Sequence, residues 1–215
     1  MNSYVVVGLG RFGSEVARQL YANGCEVLAI DSRSELVQQI SNDVTHAVVA
    51  DGQDKDVLKA LGVRDMDCAI IAIGGNLAAS VLCTMNMKEL GVPHIVCKVH
   101  DETHRSVLEK LGADRTIIPE KENAIRLAKS LSAPNVLDYI ELSDDFGIVE
   151  VPAPQSWMGK SLKELNVRAK FGLNVIAIKH EGKINAFPGA DYCFVPGDVI
   201  VVLGDSKTVS LVQKL

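Results

Sequence analysis

The sequence has few of the features that secreted, disulfide-bonded or nucleic-acid-binding proteins need. Its five cysteines are odd in number and form no C-x-x-C pair, which disfavours both a disulfide framework and a zinc site. No cationic segment precedes the first apolar run, which argues against a signal peptide. The formal net charge is −5 and no basic face stands out in the order of charges, so no nucleic-acid partner is expected. These absences predict a cytoplasmic protein with reduced thiols.

A long uninterrupted apolar run is also missing, although one segment comes near it. Residues 68–87 contain no charged residue, which is close to the length of about 20 residues that a membrane span requires. Gly74, Gly75 and Asn76 divide this segment into a strand and a helix. We therefore expect a buried strand followed by a buried helix, and no membrane span in this segment.

What is present in the first 120 or so residues is an alternation of short apolar runs and helical patterns. The predicted strands are 4–7, 27–30, 46–50, 68–73, 95–99 and 116–118, and the predicted helices between them are 14–23, 35–41, 55–61, 77–90 and 103–111. Strands rich in Val and Ile without polar alternation are typical of a parallel sheet covered on both faces. Capping-box spacing marks two helix starts, at Ser32 with Glu35 and at Ser161 with Glu164. The pattern predicts an α/β, doubly wound, Rossmann-like domain.

The pattern changes after Pro119. A helix over 119–131 carries an apolar stripe and ends at S-A-P-N, where we place the domain boundary. Beyond it the sequence predicts strands over 147–151, 175–179 and 199–203, helices over 162–165 and 207–215, and a hairpin turn at K-H-E-G-K. We therefore predict a Rossmann-like domain over residues 1–133 and a smaller α+β domain over residues 134–215.

A glycine motif follows the first strand directly. Gly8, Gly10 and Gly13 have the G-x-G-x-x-G spacing between a strand and a helix, and Asp31 ends the next strand. In this context the first glycine permits a tight turn, the second lets a phosphate approach the backbone, and the third lets the helix pack close to the strand. The N–H groups at the start of the helix favour an anion. The sequence predicts a nucleotide site, with Asp31 placed to bind ribose.

The glycine motif alone does not specify which nucleotide binds or whether a reaction follows. G-x-G-x-x-G most often indicates NAD or FAD, and so a dehydrogenase. An oxidoreductase needs a catalytic group in a cleft, and the last 80 or so residues contain no Ser/His/Asp or Lys/Tyr constellation. Arg11, inside the loop, can bind additional phosphate oxygens, which favours ATP or ADP over NAD. We predict a nucleotide sensor and no enzyme, with an NAD-dependent oxidoreductase or NAD(H)-sensing regulator as the alternative.

His100 and His104 are spaced for a two-histidine metal site. The segment V-H-D-E-T-H crosses from a strand end to a helix start, and Asp101 can cap that helix. We interpret the pair as part of a solvated helix N-terminus.

Several segments together resemble the RCK domain (regulator of K+ conductance) and, more narrowly, the cytosolic regulatory subunit of Ktr-type potassium uptake systems. The matching motifs of the first half are G-L-G-R-F-G, A-I-D, H-A-V-V-A-D, I-I-A-I-G-G-N and V-L-E-K-L-G-A-D-R-T-I-I-P-E-K-E-N. Those of the second half are S-L-K-E-L-N-V-R-A-K-F-G-L-N-V-I-A-I-K and P-G-D-V-I-V-V-L-G. The resemblance covers essentially the whole chain.

This resemblance implies a non-catalytic protein. It implies dimers that assemble into an octameric ring, docked beneath a membrane potassium-translocating subunit at the inner face of the cell membrane. Exchange between ATP and ADP reshapes such a ring and gates ion flux.

The resemblance also assigns roles to individual residues. The implied nucleotide contacts are Gly8, Gly10, Arg11, Phe12, Gly13, Asp31, Ser32, Asp51, Gly74, Lys98 and Glu120. Arg11 would meet the terminal phosphate of the nucleotide in the neighbouring subunit. Asp51 would lie near adenine or simply cap its loop, and Lys98 would contact the phosphate side or end its strand in solvent. Glu120 would bind a divalent cation, Mg²⁺ or Ca²⁺, at a dimer interface, or cap its helix.

A second ligand is implied for the C-terminal domain. Relatives from Gram-positive bacteria bind cyclic di-AMP at the dimer interface of this domain. Arg168, Asn174, Ile176 and Pro188 occupy the matching region. A two-fold groove lined by aliphatic residues and one arginine is also compatible with an ordinary subunit interface.

Overall fold

The computed structural model describes residues 2–132, 138–143 and 146–205. The chain divides into two compact units, Met1–Pro119 and Glu120–Leu215. The first unit is built on a six-stranded sheet with helices, and the second on a five-stranded sheet. The predicted limits at residues 133 and 134 place the helix after Pro119 in the first domain, and that assignment stays a prediction.

The first sheet is parallel throughout. Its strands are β1 (Ser3–Val7), β2 (Glu26–Asp31), β3 (His46–Val49), β4 (Cys68–Ile71), β5 (His94–Lys98) and β6 (Arg115–Ile117). The helices between them are α1 (Arg11–Ala22), α2 (Ser34–Ile40), α3 (Lys55–Ala60), α4 (Leu77–Glu89) and α5 (Glu102–Lys110), with a 3-10 turn at Val63–Asp65. The prediction of a doubly wound, Rossmann-like domain is confirmed.

Strand β1 shows why the sheet is covered on both faces. Val5 and Val7 are buried in one hydrophobic cluster, whereas Val6, which points to the opposite face, is buried in another. A strand without polar alternation can bury its side chains only if both faces are covered. Burial of each such side chain contributes on the order of 1.5–3 kcal/mol.

The strand order, β3-β2-β1-β4-β5-β6, positions the site. The chain runs outward from β1 through β2 and β3, then returns to place β4 on the other side of β1. The connections after β1 and β4 therefore leave the sheet in opposite directions. In such sheets a crevice opens at this point, beyond the carboxyl ends of the strands.

The second unit contains the helix α6 (Pro119–Ser132) from its second residue onward, and an antiparallel sheet in the order β10-β9-β11-β8-β7. Its strands are β7 (Asp138–Glu141), β8 (Phe146–Pro152), β9 (Asn174–His180), β10 (Lys183–Asn185) and β11 (Val199–Asp205). A 3-10 turn at Gln155–Trp157 and two short helices, α7 (Leu162–Leu165) and α8 (Val167–Phe171), complete it. Val149, Ile178 and Ile200 pack with Trp157 and Phe194 in its core.

Several local predictions have specific outcomes here. The capping box of Ser161 and Glu164 is present at the start of α7, and the predicted hairpin turn joins β9 to β10. The box predicted at Ser32 is wrong, because Arg33 is the N-cap residue of α2 and its side chain makes no capping bond. Strands β7 and β10 and helix α8 were not predicted. The predicted helix over 207–215 lies outside the described residues.

Among the described residues, none of the helices combines the length and apolar character needed to cross a membrane. Residues 68–87 form strand β4 and most of helix α4, as their glycine interruption predicts.

Candidate nucleotide site

The glycine loop after β1 packs tightly at two of its glycines and is open at the third. Gly8 has a φ of +97°, and a Cβ there would lie 2.9 Å from the Ala72 carbonyl carbon that follows β4. A Cβ on Gly13 would lie 1.9 Å from the Gly8 carbonyl oxygen. A Cβ on Gly10 would meet nothing within 4 Å. The loop thus needs glycine at Gly8 and Gly13 for its own packing, and leaves open space beside Gly10.

Helix α1 begins immediately at this open space. Gly10 is its N-cap residue, no side chain provides a capping bond, and its first turn contains no acidic residue. The first N–H groups of a helix have no partner within the helix and carry partial positive charge. Arg11 is exposed at this end and makes no ion pair with the residues that the structure describes. An anion placed beside Gly10 would therefore meet backbone donors and a positive charge.

Asp31 ties the end of β2 to the glycine loop. Its side chain is 6% exposed, and its carboxylate accepts a hydrogen bond of 2.7 Å from the Leu9 N–H. It also accepts bonds from the Arg33 backbone N–H at 2.9 Å and from the Arg33 guanidinium. Burial alone raises the pKa of Asp31, but the hydrogen bonds from Arg33 and Leu9 and the Arg33 charge together lower it. The carboxylate stays ionised and faces the loop.

The ends of β4 and β5 approach the same loop. The Lys98 ammonium, at the end of β5, lies 5.7 Å from the centre of the Phe12 ring, a cation–π distance. Gly74 follows β4, and a Cβ there would lie 3.8 Å from the His100 ring. The structure therefore brings Lys98 together with Phe12 of the glycine loop. It also places Gly74 near His100, two residues after the end of β5.

Asp51 and Ser32 are both exposed near the carboxyl ends of β3 and β2. The Asp51 carboxylate accepts hydrogen bonds from the Gln53 backbone N–H at 2.9 Å and from the Gln53 side-chain amide at 3.1 Å. The sequence analysis gives Asp51 two alternative roles, a contact with adenine and a cap of its own loop, and these hydrogen bonds are those of a loop cap. The adenine contact stays a prediction, as does the contact of Ser32.

His104 corrects one sequence interpretation. Asp101 does cap α5, accepting a 2.8 Å bond from the His104 backbone N–H. The His104 side chain, however, is buried and lies 3.3 Å from the Ser80 hydroxyl of α4, so it is not part of a solvated helix end. Burial, followed by the neighbouring His100, lowers the pKa of His104. The ring belongs to the core beneath the site.

Two thiols lie in the same core. Burial raises the pKa of Cys83 to about 12 and that of Cys97 to about 11. The Thr84 hydroxyl lies 3.5 Å from the Cys97 sulfur. These thiols remain protonated and behave as small apolar groups near neutral pH.

Glu120 is exposed in the first turn of α6. Among residues 2–132, 138–143 and 146–205, no three or more His, Cys, Asp or Glu side chains gather into a group that could hold a metal ion. The predicted divalent-cation site at Glu120, at a dimer interface, stays a prediction.

The four residues predicted to bind a second ligand lie in the second unit. Arg168 is exposed on α8, Asn174 and Ile176 are on β9, and Pro188 is in the connection after β10. The pairing of β9 with β11 shifts register next to Ile176, which has no directly opposed residue. Bulges of this kind redirect a side chain, and the Ile176 side chain is indeed exposed. Their joint role in binding stays a prediction.

Arg33 is the residue of the site that sequence reasoning missed. Arg33 lies two residues after Asp31, and its guanidinium donates a hydrogen bond to each of the two Asp31 carboxylate oxygens. A cation two residues after the acid that ends the second strand is a readable signal, because in related folds an arginine near this acid accommodates a 2′-phosphate.

The comparisons with known proteins agree with this architecture. The family model for the TrkA-N domain matches residues 4–119, and that for the TrkA-C domain matches residues 147–215. The solved structure of the GsuK RCK domain superimposes with a TM-score of 0.65 at 17% identity, covering all of this chain and 47% of that one. This likeness supports the shared fold.

Relatives that match over nearly their full length are more specific. The Ktr system potassium uptake protein A of Bacillus subtilis (strain 168) is 43% identical over 96% of this chain and 93% of its own. The Ktr system potassium uptake protein C of the same organism is 39% identical over 98% of this chain and 96% of its own. The two domain matches and these relatives confirm the resemblance: this chain belongs to the family of Ktr system potassium uptake proteins that carry a TrkA-N and a TrkA-C domain.

Proposed function

We propose that this protein is the non-enzymatic regulatory subunit of a potassium uptake system, and that it gates a membrane potassium-translocating subunit by binding ATP or ADP. The observation that carries the proposal is the geometry of the glycine loop. Space is open beside Gly10, the first turn of α1 has no capping side chain, and the Asp31 carboxylate lies behind the loop. The names and coverage of the Bacillus relatives support the potassium-uptake context.

In the proposed complex the phosphates lie over Gly10 and the N-terminus of α1. Gly8 and Gly13 hold the loop close to β4, Phe12 and Lys98 border the phosphates, and Asp31 receives the ribose. Backbone N–H groups can meet the α- and β-phosphates. Asp51, Ser32 and Gly74 border the nucleoside side of the pocket in this arrangement.

Gating requires that the ring have two shapes, and that ATP and ADP differ in which of the two shapes they bind more tightly. A terminal phosphate that reaches Arg11 of a neighbouring subunit would supply this difference, because ADP lacks it. Arg11 is exposed and unpaired among the described residues, so it is available for such a contact. A coupling of about 1–3 kcal/mol per site is ordinary for allosteric proteins.

The nucleotide is tested by a thermal-shift panel of ATP, ADP, NAD, NADH and cyclic di-AMP. A ligand at a hundred times its Kd stabilises the folded protein by about 2.7 kcal/mol. We expect stabilisation by ATP and ADP. Stabilisation by NAD or NADH alone, together with turnover of a metabolite, would establish the oxidoreductase alternative and overturn the proposal.

Arg11→Ala tests the gating step. We expect the variant to retain nucleotide binding and to lose the difference between ATP and ADP in ring shape, measured by small-angle scattering. Arg64→Ala removes another exposed arginine, outside the site, and serves as the control. Equal scattering from the ATP and ADP forms of the unmodified protein would contradict the mechanism.

The assembly follows from the same proposal. Dimers form an octameric ring in the cytoplasm, and the ring attaches peripherally to the inner face of the cell membrane through the potassium-translocating subunit. In this ring Glu120, at the start of α6, binds Mg²⁺ or Ca²⁺ with ligands from a second subunit. Light scattering in the presence of each cation tests both statements.

We further propose cyclic di-AMP as a second ligand, bound between two C-terminal domains. Exposed Arg168 can bind a phosphate, exposed Ile176 at the bulge of β9 can pack on a base, and Asn174 and Pro188 complete the set. Arg168→Ala should abolish stabilisation by cyclic di-AMP and preserve stabilisation by ATP.

A further inference from the structure

Arg33 lies beside the carboxylate that the proposed function assigns to ribose. Asp31 accepts four hydrogen bonds: from the Leu9 N–H at 2.7 Å, the Arg33 N–H at 2.9 Å, the Arg33 Nε at 3.2 Å and the Arg33 Nη2 at 3.4 Å. An ionised carboxylate has about four lone-pair sites. The acceptor capacity of Asp31 is therefore fully used, and a ribose hydroxyl that donates to it must displace one of these donors.

The donor that yields is the guanidinium. The two backbone bonds are shorter, and the loop and the start of α2 hold them in place. The two guanidinium bonds are longer, and the Arg33 side chain is 62% exposed whereas that of Asp31 is 6% exposed. Because the guanidinium lies largely in solvent, screening by water weakens its attraction to the carboxylate. Of the four donors it is therefore the one that ribose hydroxyls replace at the lowest cost.

The Arg33 backbone remains bonded to Asp31, so a displaced guanidinium stays within the length of its own side chain from the ribose. Guanidinium groups bind phosphate through two parallel hydrogen bonds. In related folds an acid at this position binds the ribose 2′-hydroxyl, whereas a nearby arginine accommodates a 2′-phosphate. This chain has both residues.

We propose that Arg33 is a specificity-determining residue of the nucleotide site, and that it admits adenine nucleotides with a 2′-phosphate by neutralising the Asp31 carboxylate beside them. This inference rests on the proposed binding of adenine nucleotides. Without Arg33, a 2′-phosphate would meet the negative charge of Asp31 with no compensating cation.

The test compares the Kd values of AMP and adenosine 2′,5′-bisphosphate by calorimetry, because these ligands differ only in the 2′-phosphate. In the unmodified protein we expect similar values for the two ligands. In Arg33→Ala we expect the bisphosphate to bind at least about tenfold more weakly relative to AMP, since the charge-assisted contact is lost. Arg33→Lys, which keeps the charge but not the planar pair of donors, should lie between them.

Arg64→Ala is the matched control, because Arg64 is 67% exposed and also pairs with a neighbouring aspartate, Asp65. It should leave the ratio of the two Kd values unchanged. If the unmodified protein binds both ligands and Arg33→Ala keeps its ratio, the inference is wrong and the nucleotide site stands. If the unmodified protein binds no adenine nucleotide at all, the proposed function itself fails.

Discussion

At the residue scale, the glycines of the loop after β1 differ in what an added methyl group would meet. At Gly13 it would overlap the Gly8 carbonyl oxygen, and at Gly8 it would press on the Ala72 backbone in a conformation with positive φ. At Gly10 it would enter open space. Packing therefore explains two of the glycines, whereas for the third the proposed function supplies the explanation, a phosphate in the open space beside Gly10.

Gly10→Ala separates binding from folding. With a φ of −66° and no neighbour within 4 Å, alanine fits the backbone, and we expect a change of at most about 1 kcal/mol in the free energy of unfolding. Its methyl group occupies the proposed phosphate position. We therefore expect that at least about tenfold more ATP is needed to reach the same stabilisation. Urea unfolding and a ligand titration measure the two effects.

The matched control is Gly189→Ala, where a Cβ also meets nothing within 4 Å. This variant should match the unmodified protein in both measurements. Full ATP binding by Gly10→Ala would show that phosphates do not lie beside this residue.

Asp31 makes the free energy of unfolding depend on pH, and its contribution decreases toward acid. Because its folded pKa lies below its ordinary value of 3.8, its contribution is complete above about pH 5 and is lost as the pH falls through the folded pKa. In Asp31→Asn the amide cannot accept from all the surrounding donors, so the free energy of unfolding at pH 7 should fall by about 1–3 kcal/mol.

Urea unfolding between about pH 6 and pH 3 checks this prediction. The loss of stability toward acid should be shallower in Asp31→Asn than in the unmodified protein. Parallel pH profiles would show that the carboxylate does not stabilise the loop.

At the element scale, two serines with the same capping-box spacing behave differently. Ser161 precedes α7, where its hydroxyl accepts from the Glu164 backbone N–H and its own N–H donates to the Glu164 carboxylate. Ser32 precedes α2, which begins one residue later than the spacing requires, so that Arg33 is the N-cap residue. The backbone bond of Arg33 to Asp31 fixes that later start.

Ser161→Ala should therefore lower the free energy of unfolding by about 1 kcal/mol, because a capping bond is lost at a buried position. Ser32→Ala, with the same spacing but no capping bond, should leave it within about 0.5 kcal/mol. Chemical unfolding of both variants measures the difference. Equal losses would contradict the assigned caps.

At the scale of the whole molecule, helix α6 exposes apolar side chains that a solitary chain would not leave in water. Leu127 is 59% exposed, and Leu131, one turn further along the same face of the helix, is 73% exposed. Neighbouring exposed apolar side chains are typical of interaction sites. In the proposed ring, a second copy of the chain covers it.

Replacing Leu127 and Leu131 together by Glu should reduce the mass of the assembly by at least half, because burying the two charges is costly. Light scattering measures the mass, and a thermal shift with ATP checks that the first unit still binds. Tyr21→Glu, on the exposed face of α1, is the control and should keep the full mass. An unchanged mass for the double variant would exclude α6 from the assembly contacts.

The sequence by itself determined the elements whose signals are local. Continuous Val and Ile runs, the glycine motif and the glycine breaks specify the six parallel strands and the loop after β1, because burial and backbone freedom act on neighbouring residues. A full capping box likewise located α7. These features could be predicted without knowing any partner strand.

Only the tertiary structure decided the features that depend on distant residues. The four residues Asp138–Glu141 and the three residues Lys183–Asn185 become strands because β8 and β9 offer backbone partners. His104 is buried because α4 packs over it. The Asp31 carboxylate accepts hydrogen bonds from both Leu9 and Arg33 because β1 and β2 lie side by side. Pairing across the chain, not local propensity, sets these positions, since their stabilising contacts exist only after folding.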